Sequence, residues 1–261
     1  MWLHHGNEGF GGHHYAGVIN TGETLDIYFT AISGLPSLYI TLWKDFVDDF
    51  ETILISPTGE TMDFLTSGPV PYNEEQEKFV ILNNPSAGIW RIRIRGVDIV
   101  DGRFNIWLPT VEEVTRDTRF RIPSVYTTLT LPSTSKRVIT VGAYNSRINS
   151  VADFSGRGFT RSNVYIKPDL VAPGIGVITT ARGGGYDSFT GTSFAAPFVT
   201  GATSLLAEWG IVNGNDRFLY GQRVKAFLGK GARREAGVAY PNPTWGYGFL
   251  CIGDTLGILE R

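Results

Sequence analysis

The sequence has one cysteine, Cys251, among 261 residues. This excludes an internal disulfide framework and a cysteine-rich metal site. No apolar run approaches the roughly 18 residues of a membrane-spanning helix. Neither sign of charge is in excess: Lys plus Arg number 23 and Asp plus Glu 25, a formal charge of −2. A nucleic-acid partner would call for a basic excess or stripe, so that class is set aside. No internal repeat or low-complexity tract is present. The start, Met1-Trp2-Leu3-His4-His5-Gly6, is too short and too polar for a secretory signal. What the sequence does have is a globular composition, 42% hydrophobic and 18% charged, with enough length to bury a core unaided by disulfides. It also has 32 glycines, close to twice the average share of about 7%, which calls for many turns and close backbone approaches.

Three stretches differ in texture. Residues 1–18 are rich in Gly and His, with His4, His5, His13 and His14 close together. Met1-Trp2-Leu3 reads as the last stub of an apolar strand, and Gly6-Asn7-Glu8-Gly9 as a turn. Residues 19–110 alternate with period two: Leu25, Ile27, Phe29; Leu38, Ile40, Leu42; Trp90, Ile92, Ile94 between Arg91, Arg93 and Arg95; and Phe104, Ile106, Leu108. That period marks strands with one buried and one wet face. Turn chemistry separates them at Ser33-Gly34-Leu35-Pro36, Ser56-Pro57-Thr58-Gly59, Asn84-Pro85-Ser86-Ala87-Gly88 and Asp101-Gly102. The stretch therefore predicts an all-β sandwich or jelly roll. Residues 111–261 mix strand and helix. Val138–Gly142 reads as a buried strand and Lys167–Gly174 as an extended segment stiffened by two prolines. A helix is expected from Phe194 to about Trp209, apolar nearly all round and hence central and buried. A second is expected from Gln222 to Leu228. The fold class is α/β, with the β-sandwich inserted.

The chemistry concentrates at Gly191-Thr192-Ser193-Phe194-Ala195-Ala196-Pro197. A serine stands at a helix entry, beside unpaired N–H groups and the positive end of the helix dipole. Such a place favours a developing oxyanion, as acyl transfer requires. Pro197 is tolerated if it falls near the first turn. The alternative is that Ser193 is simply a helix N-cap.

The run Gly191-Thr192-Ser193-Phe194-Ala195-Ala196-Pro197-Phe198-Val199-Thr200-Gly201 resembles the nucleophile segment of the subtilisin-like serine proteases, the subtilases of peptidase S8 type. Other segments match in family order. Gly6-Asn7-Glu8-Gly9 resembles the segment whose Asn donates to the oxyanion. Val138–Ala143 resembles the next core strand. Asp153–Gly158, Lys167–Gly174 and Trp245-Gly246-Tyr247-Gly248 resemble the segments that follow. The resemblance covers about 1–18 and 125–261, and implies a partial three-layer α/β core. It also implies a Ser–His–Asp mechanism in which Ser193 attacks and its N–H and the Asn7 carboxamide hold the oxyanion. No cofactor and no metal is implied, and the substrate would be a peptide or protein. The sandwich at 19–110 resembles the insertion of clostridial spore germination proteases, the Csp group. The turn and strand Asn84–Trp90 also resemble the P-domain sandwich of proprotein convertases.

The sequence departs from the family by starting at the Asn segment, with no Asp-centred or His-centred motif before it. The expectation is a C-terminal portion, inactive alone, whose partner is the N-terminal remainder of the same protease. A non-catalytic pseudoprotease, serving as a binding or signalling module, is the alternative function, and a third gives the sandwich the principal role. Phe198 stands where the family often has His, and His4 and His5 where it often has Ala. The four histidines lack the companion ligands of a zinc site and read as exposed or pocket-lining. Asp45, Asp48, Asp49 and Glu51 lack a calcium loop's pattern and read as a solvated face. The arginine stripe reads as a strand's wet face, Cys251 as a buried small hydrophobe.

Overall fold

The computed structural model describes residues 2–4 (backbone alone), 8–68, 74–110, 113–161 and 165–260. In chain order the strands are β1 (Trp2–His4), β2 (His14–Val18), β3 (Thr24–Ala31), β4 (Ser37–Asp45), β5 (Asp49–Ile55), β6 (Thr61–Asp63), β7 (Leu65–Thr66), β8 (Glu75–Asn83), β9 (Gly88–Asp98), β10 (Arg103–Trp107), β11 (Arg119–Phe120), β12 (Ile139–Asn145), β13 (Ser150–Val151), β14 (Leu170–Pro173), β15 (Val177–Thr180) and β16 (Tyr186–Phe189). The helices are α1 (Thr192–Ala207), α2 (Gln222–Lys230) and α3 (Ile252–Leu259). Two compact units result: Gly11–Val125, and Met1–Phe10 with Tyr126–Arg261.

Gly11–Val125 is a sandwich of two five-stranded sheets, ordered β2-β10-β4-β8-β7 and β11-β3-β9-β5-β6. The alternating residues of the sequence do what period two requires. Ile27 and Phe29 of β3, Leu38, Ile40 and Leu42 of β4, Trp90, Ile92 and Ile94 of β9, and Phe104 and Ile106 of β10 share one buried core. The unit reaches beyond 19–110 at both ends because backbone pairing recruits its neighbours. β2 pairs with β10 from His14↔Trp107 to Val18↔Arg103, and β11 pairs with β3 at Phe120↔Phe29. The wet face of β9 carries cross-strand ion pairs, Arg93 to Asp26 at 2.7 Å and Arg95 to Glu51 at 3.0 Å. These arginines are thus engaged with carboxylates.

The acidic run is not simply a solvated face. Asp48 is buried and its carboxylate accepts from the N–H groups of Val100 (2.7 Å), Asp101 (3.0 Å) and Gly102 (2.8 Å). Gly102 has φ +75°, and a Cβ there would stand 2.1 Å from Ile19 O. A buried Lys44 fills the adjoining loop, donating to the carbonyls of Asp45 and Asp48 with its ammonium 5.6 Å from the Phe50 ring centre. The place where a cation would gather carbonyl oxygens is taken by a side-chain ammonium.

The other unit is built on β12, which pairs in parallel with β1 and β14 and antiparallel with β13. One face of β12 and β14 (Ile139, Val141, Ala143, Leu170, Ala172) packs with Ala195, Val199, Ala202 and Leu206 of α1. On the opposite side, Tyr144 and Val171 cluster with Phe249 and Trp245. The helix departs from its sequence expectation. It starts two residues earlier, at Thr192, and buries one face only: Phe198 is 43% and Leu205 50% exposed. Apolar residues all round a helix specify burial all round only where something covers each face. Helix α2 runs to Lys230, two residues past Leu228. Among the described residues no helix is long and apolar enough to cross a membrane.

Candidate active site

Ser193 is the second residue of α1, and Gly191 holds the N-cap position with no side-chain cap bond. The N-cap alternative for Ser193 is thereby excluded: its side chain is exposed, and its hydroxyl and N–H have no hydrogen-bond partner among the described residues. Pro197 is the sixth helical residue, beyond the first turn. Its missing N–H would otherwise bond Ser193 O, so that carbonyl also lacks its usual helical donor. The helix mouth thus presents a hydroxyl and an N–H, both free among the described residues, at the positive end of a dipole of sixteen residues.

The turn before Ser193 is held from three sides. The Gly191 N–H donates to Gly174 O at 2.9 Å, and the Gly174 N–H donates to Tyr144 O at 3.0 Å. The helix mouth is therefore bonded to the ends of β14 and β12. The β15–β16 hairpin leads in, and Phe189 stacks on Phe194 with ring centres 5.1 Å apart. Gly174 is closely placed: a Cβ there would lie 2.5 Å from Ala143 Cβ and 3.1 Å from Gly191 O.

Asn7 lies outside the described residues, as do the side chain of His4 and all of His5. The backbone on both sides of Asn7 is described, and belongs with α1. Before it, β1 pairs with β12, Trp2↔Ile139 to His4↔Val141. After it, the Gly9 N–H donates to Phe154 O at 2.9 Å. Gly9 is so close to this segment that a Cβ would meet Ser155 O at 2.2 Å. Ser155 in turn accepts from the Ala143 N–H at 3.0 Å. His13 and His14 are not exposed: both are buried in the sandwich unit, and His14 Nε2 lies 2.8 Å from Asn105 Oδ1. Among the described residues no three His, Cys, Asp or Glu side chains gather for a metal. Cys251 is free and half-buried, just before α3.

No sequence pattern marked the buried charge cluster at the start of β14. Lys167 is fully buried and donates to Val138 O (2.8 Å), Thr140 Oγ1 (2.9 Å) and Asp169 Oδ2 (2.8 Å). Lys225 of α2 pairs with Asp169 Oδ1 at 2.7 Å. Loss of hydration on burial outweighs the attraction of Asp169 and pushes the Lys167 ammonium down to about 8. Trp245–Gly248 seals this region: the Tyr247 N–H donates to Asp169 O at 2.8 Å. Gly246, at φ +58°, leaves no room for a Cβ, which would sit 2.2 Å from Pro168 O.

Comparison with known proteins agrees with this geometry. Residues 123–248 match the model of the Subtilase family, Peptidase S8. The solved CspB protease of Clostridium perfringens is similar over 99% of this chain and 58% of its own, with 38% identity and a TM-score of 0.91. An uncharacterized protein of Aquifex aeolicus is 35% identical over 155 residues, 51% of this chain and 65% of its own length. The intracellular serine protease of Paenibacillus polymyxa is 40% identical over 77 residues, 30% of this chain and 21% of its own. The chain spans less than two thirds of each of these relatives. With its helix mouth, its sheet and its flanking segments in the same order, this chain is similar to the subtilases, the subtilisin-like proteases.

Proposed function

We propose that the chain supplies the nucleophile of a subtilisin-type serine endopeptidase that hydrolyses peptide or protein substrates. Ser193 Oγ attacks the scissile carbonyl, and the oxyanion that forms accepts from the Ser193 N–H and the Asn7 carboxamide. Each such donor is worth about 3 kcal/mol of transition-state stabilisation. The observation that carries the reading is Ser193 itself: a hydroxyl and an N–H, both without partners among the described residues, at the positive end of a buried-face helix. The anchoring of β1 to β12 and of Gly9 to Phe154, on either side of Asn7, supports a place for that carboxamide in the same unit.

A serine hydroxyl needs a base to accept its proton and a carboxylate to orient that base. Among the described residues no histidine is in the helix unit with its side chain defined. In this reading the base and its orienting carboxylate come from a segment N-terminal to this one in the same protease. The exposed face of α1, with Phe198 and Leu205, supports a covering partner of that kind.

The test is labelling of the full-length protease with a fluorophosphonate, together with casein hydrolysis. Wild type should be labelled and active, and Ser193→Ala should lose both. Equal labelling of the two would refute Ser193 as nucleophile. A folded full-length protein neither labelled nor active would favour the binding or signalling module.

A further inference from the structure

The sandwich carries a cleft of about 370 Å³ on the outer face of its first sheet. Its walls include Tyr39 and Trp107, and its rim Ser37, Thr41 and Glu113. The register explains how they meet. Thr41 of β4 lies opposite Trp107 of β10, and Ser37, Tyr39 and Thr41 follow one another on the outward side of β4, whose Leu38, Ile40 and Leu42 face the core.

Both aromatic walls are held in place. The Tyr39 hydroxyl donates to Glu77 Oε1 at 3.1 Å, and its ring lies 5.9 Å from that of Phe79. Trp107 is backed by His14, stacked with ring centres 4.8 Å apart, and His14 is fixed in turn by Asn105 at 2.8 Å. The hydroxyls of Ser37 and Thr41 have no side-chain partner among the described residues. Glu113 uses one carboxylate oxygen weakly, accepting from the Thr110 N–H at 3.3 Å. The platform is rigid and its polar rim is open, which is the arrangement that keeps the cost of binding low.

We propose that this cleft binds a neutral sugar unit. A sugar ring has a face of C–H bonds, which suits the negative face of an aromatic ring. Its edge is a ring of hydroxyls, which donate to Glu113 and exchange hydrogen bonds with Ser37 and Thr41. Among the described residues no lysine or arginine lines the cleft, so it is unsuited to phosphate or sulfate. A strand-forming peptide has no free edge to join, because β4 is laddered on both sides, to β10 and β8. A proline-rich peptide offers few N–H donors for a carboxylate that can only accept.

Saturation-transfer NMR of the full chain with cellobiose, maltose, lactose and N,N′-diacetylchitobiose tests this. At least one disaccharide should receive transfer through its ring C–H protons. Tyr39→Ala should weaken that binding by about two- to tenfold, the worth of one stacked ring. Glu113→Gln, which leaves the sheet intact, should weaken it too, and Tyr28→Ala on the other sheet should not. Absence of transfer to all four sugars would overturn the proposal. So would sugar binding that survives both cleft substitutions, or binding at these residues only of a decaproline peptide or of choline.

Discussion

The Gly191 N–H donates to Gly174 O at 2.9 Å, so the turn that presents Ser193 is bonded to the strand whose tip carries Gly174. The position of the hydroxyl is therefore inherited from the sheet. A methyl at 174 would press on Ala143 Cβ, 2.5 Å away, and on Gly191 O, 3.1 Å away. Gly174→Ala should cost about 1–3 kcal/mol through overpacking. With Ser193 as the proposed nucleophile, the substitution should lower kcat of the full-length protein more than it raises KM. Urea denaturation and steady-state kinetics check this, and adding Ala143→Gly should recover part of the stability.

Ser193→Ala should leave stability within about 0.5 kcal/mol of wild type, because the side chain is exposed and makes no hydrogen bond among the described residues. Thermal unfolding of this chain measures it. A large loss would mean that Ser193 is a structural cap, contrary to its position inside the helix.

Asp48→Ala should destabilise the chain by about 1–3 kcal/mol, because three backbone N–H groups, of Val100, Asp101 and Gly102, lose their acceptor. Lys44 would also remain buried beside the emptied position. Calcium at millimolar concentration should not shift the melting temperature of wild type. A calcium-dependent rise that disappears in Asp49→Asn would restore the acidic run as a cation site.

Lys167 gives a pH dependence with a definite sign. Its proton leaves the folded chain near pH 8, whereas an unburied lysine keeps it to about 10.5. Between those values the unfolded chain binds the extra proton, so this group's contribution to stability rises with pH. The cost of burying the ammonium is fully present below pH 8 and fades toward 10.5. Urea midpoints from pH 7 to 10 should show wild type gaining on Lys167→Met. A constant gap would mean that the ammonium stays charged throughout, held by Asp169.

The period-two runs were readable because each residue on a strand is placed by its own neighbours: Leu38, Ile40 and Leu42 had one way to face a core, and they do. Glycines near the site were readable for a related reason, since close backbone contact leaves a mark in residue type, as at Gly246 and Gly9. The limits of the sandwich were not readable from local pattern. His14–Val18 carries no alternation, and its place is fixed by hydrogen bonds to β10 almost ninety residues away. Nor could sequence separate Asp48 from Asp45 and Asp49, because whether a carboxylate meets water or three amides depends on which loop folds over it.

The sequence by itself determined the chemistry on offer: a serine between glycine and two alanines at a helix start, strands by alternation, and the family segments in their order. Only tertiary structure decided what surrounds each group. It put Ser193 inside the first turn with its N–H free among the described residues, left one face of an apolar helix in solvent, and drew Lys225 to Asp169. Local geometry follows from bonded neighbours, whereas burial, ion pairing and access to solvent are set by residues far along the chain, and no local pattern encodes them.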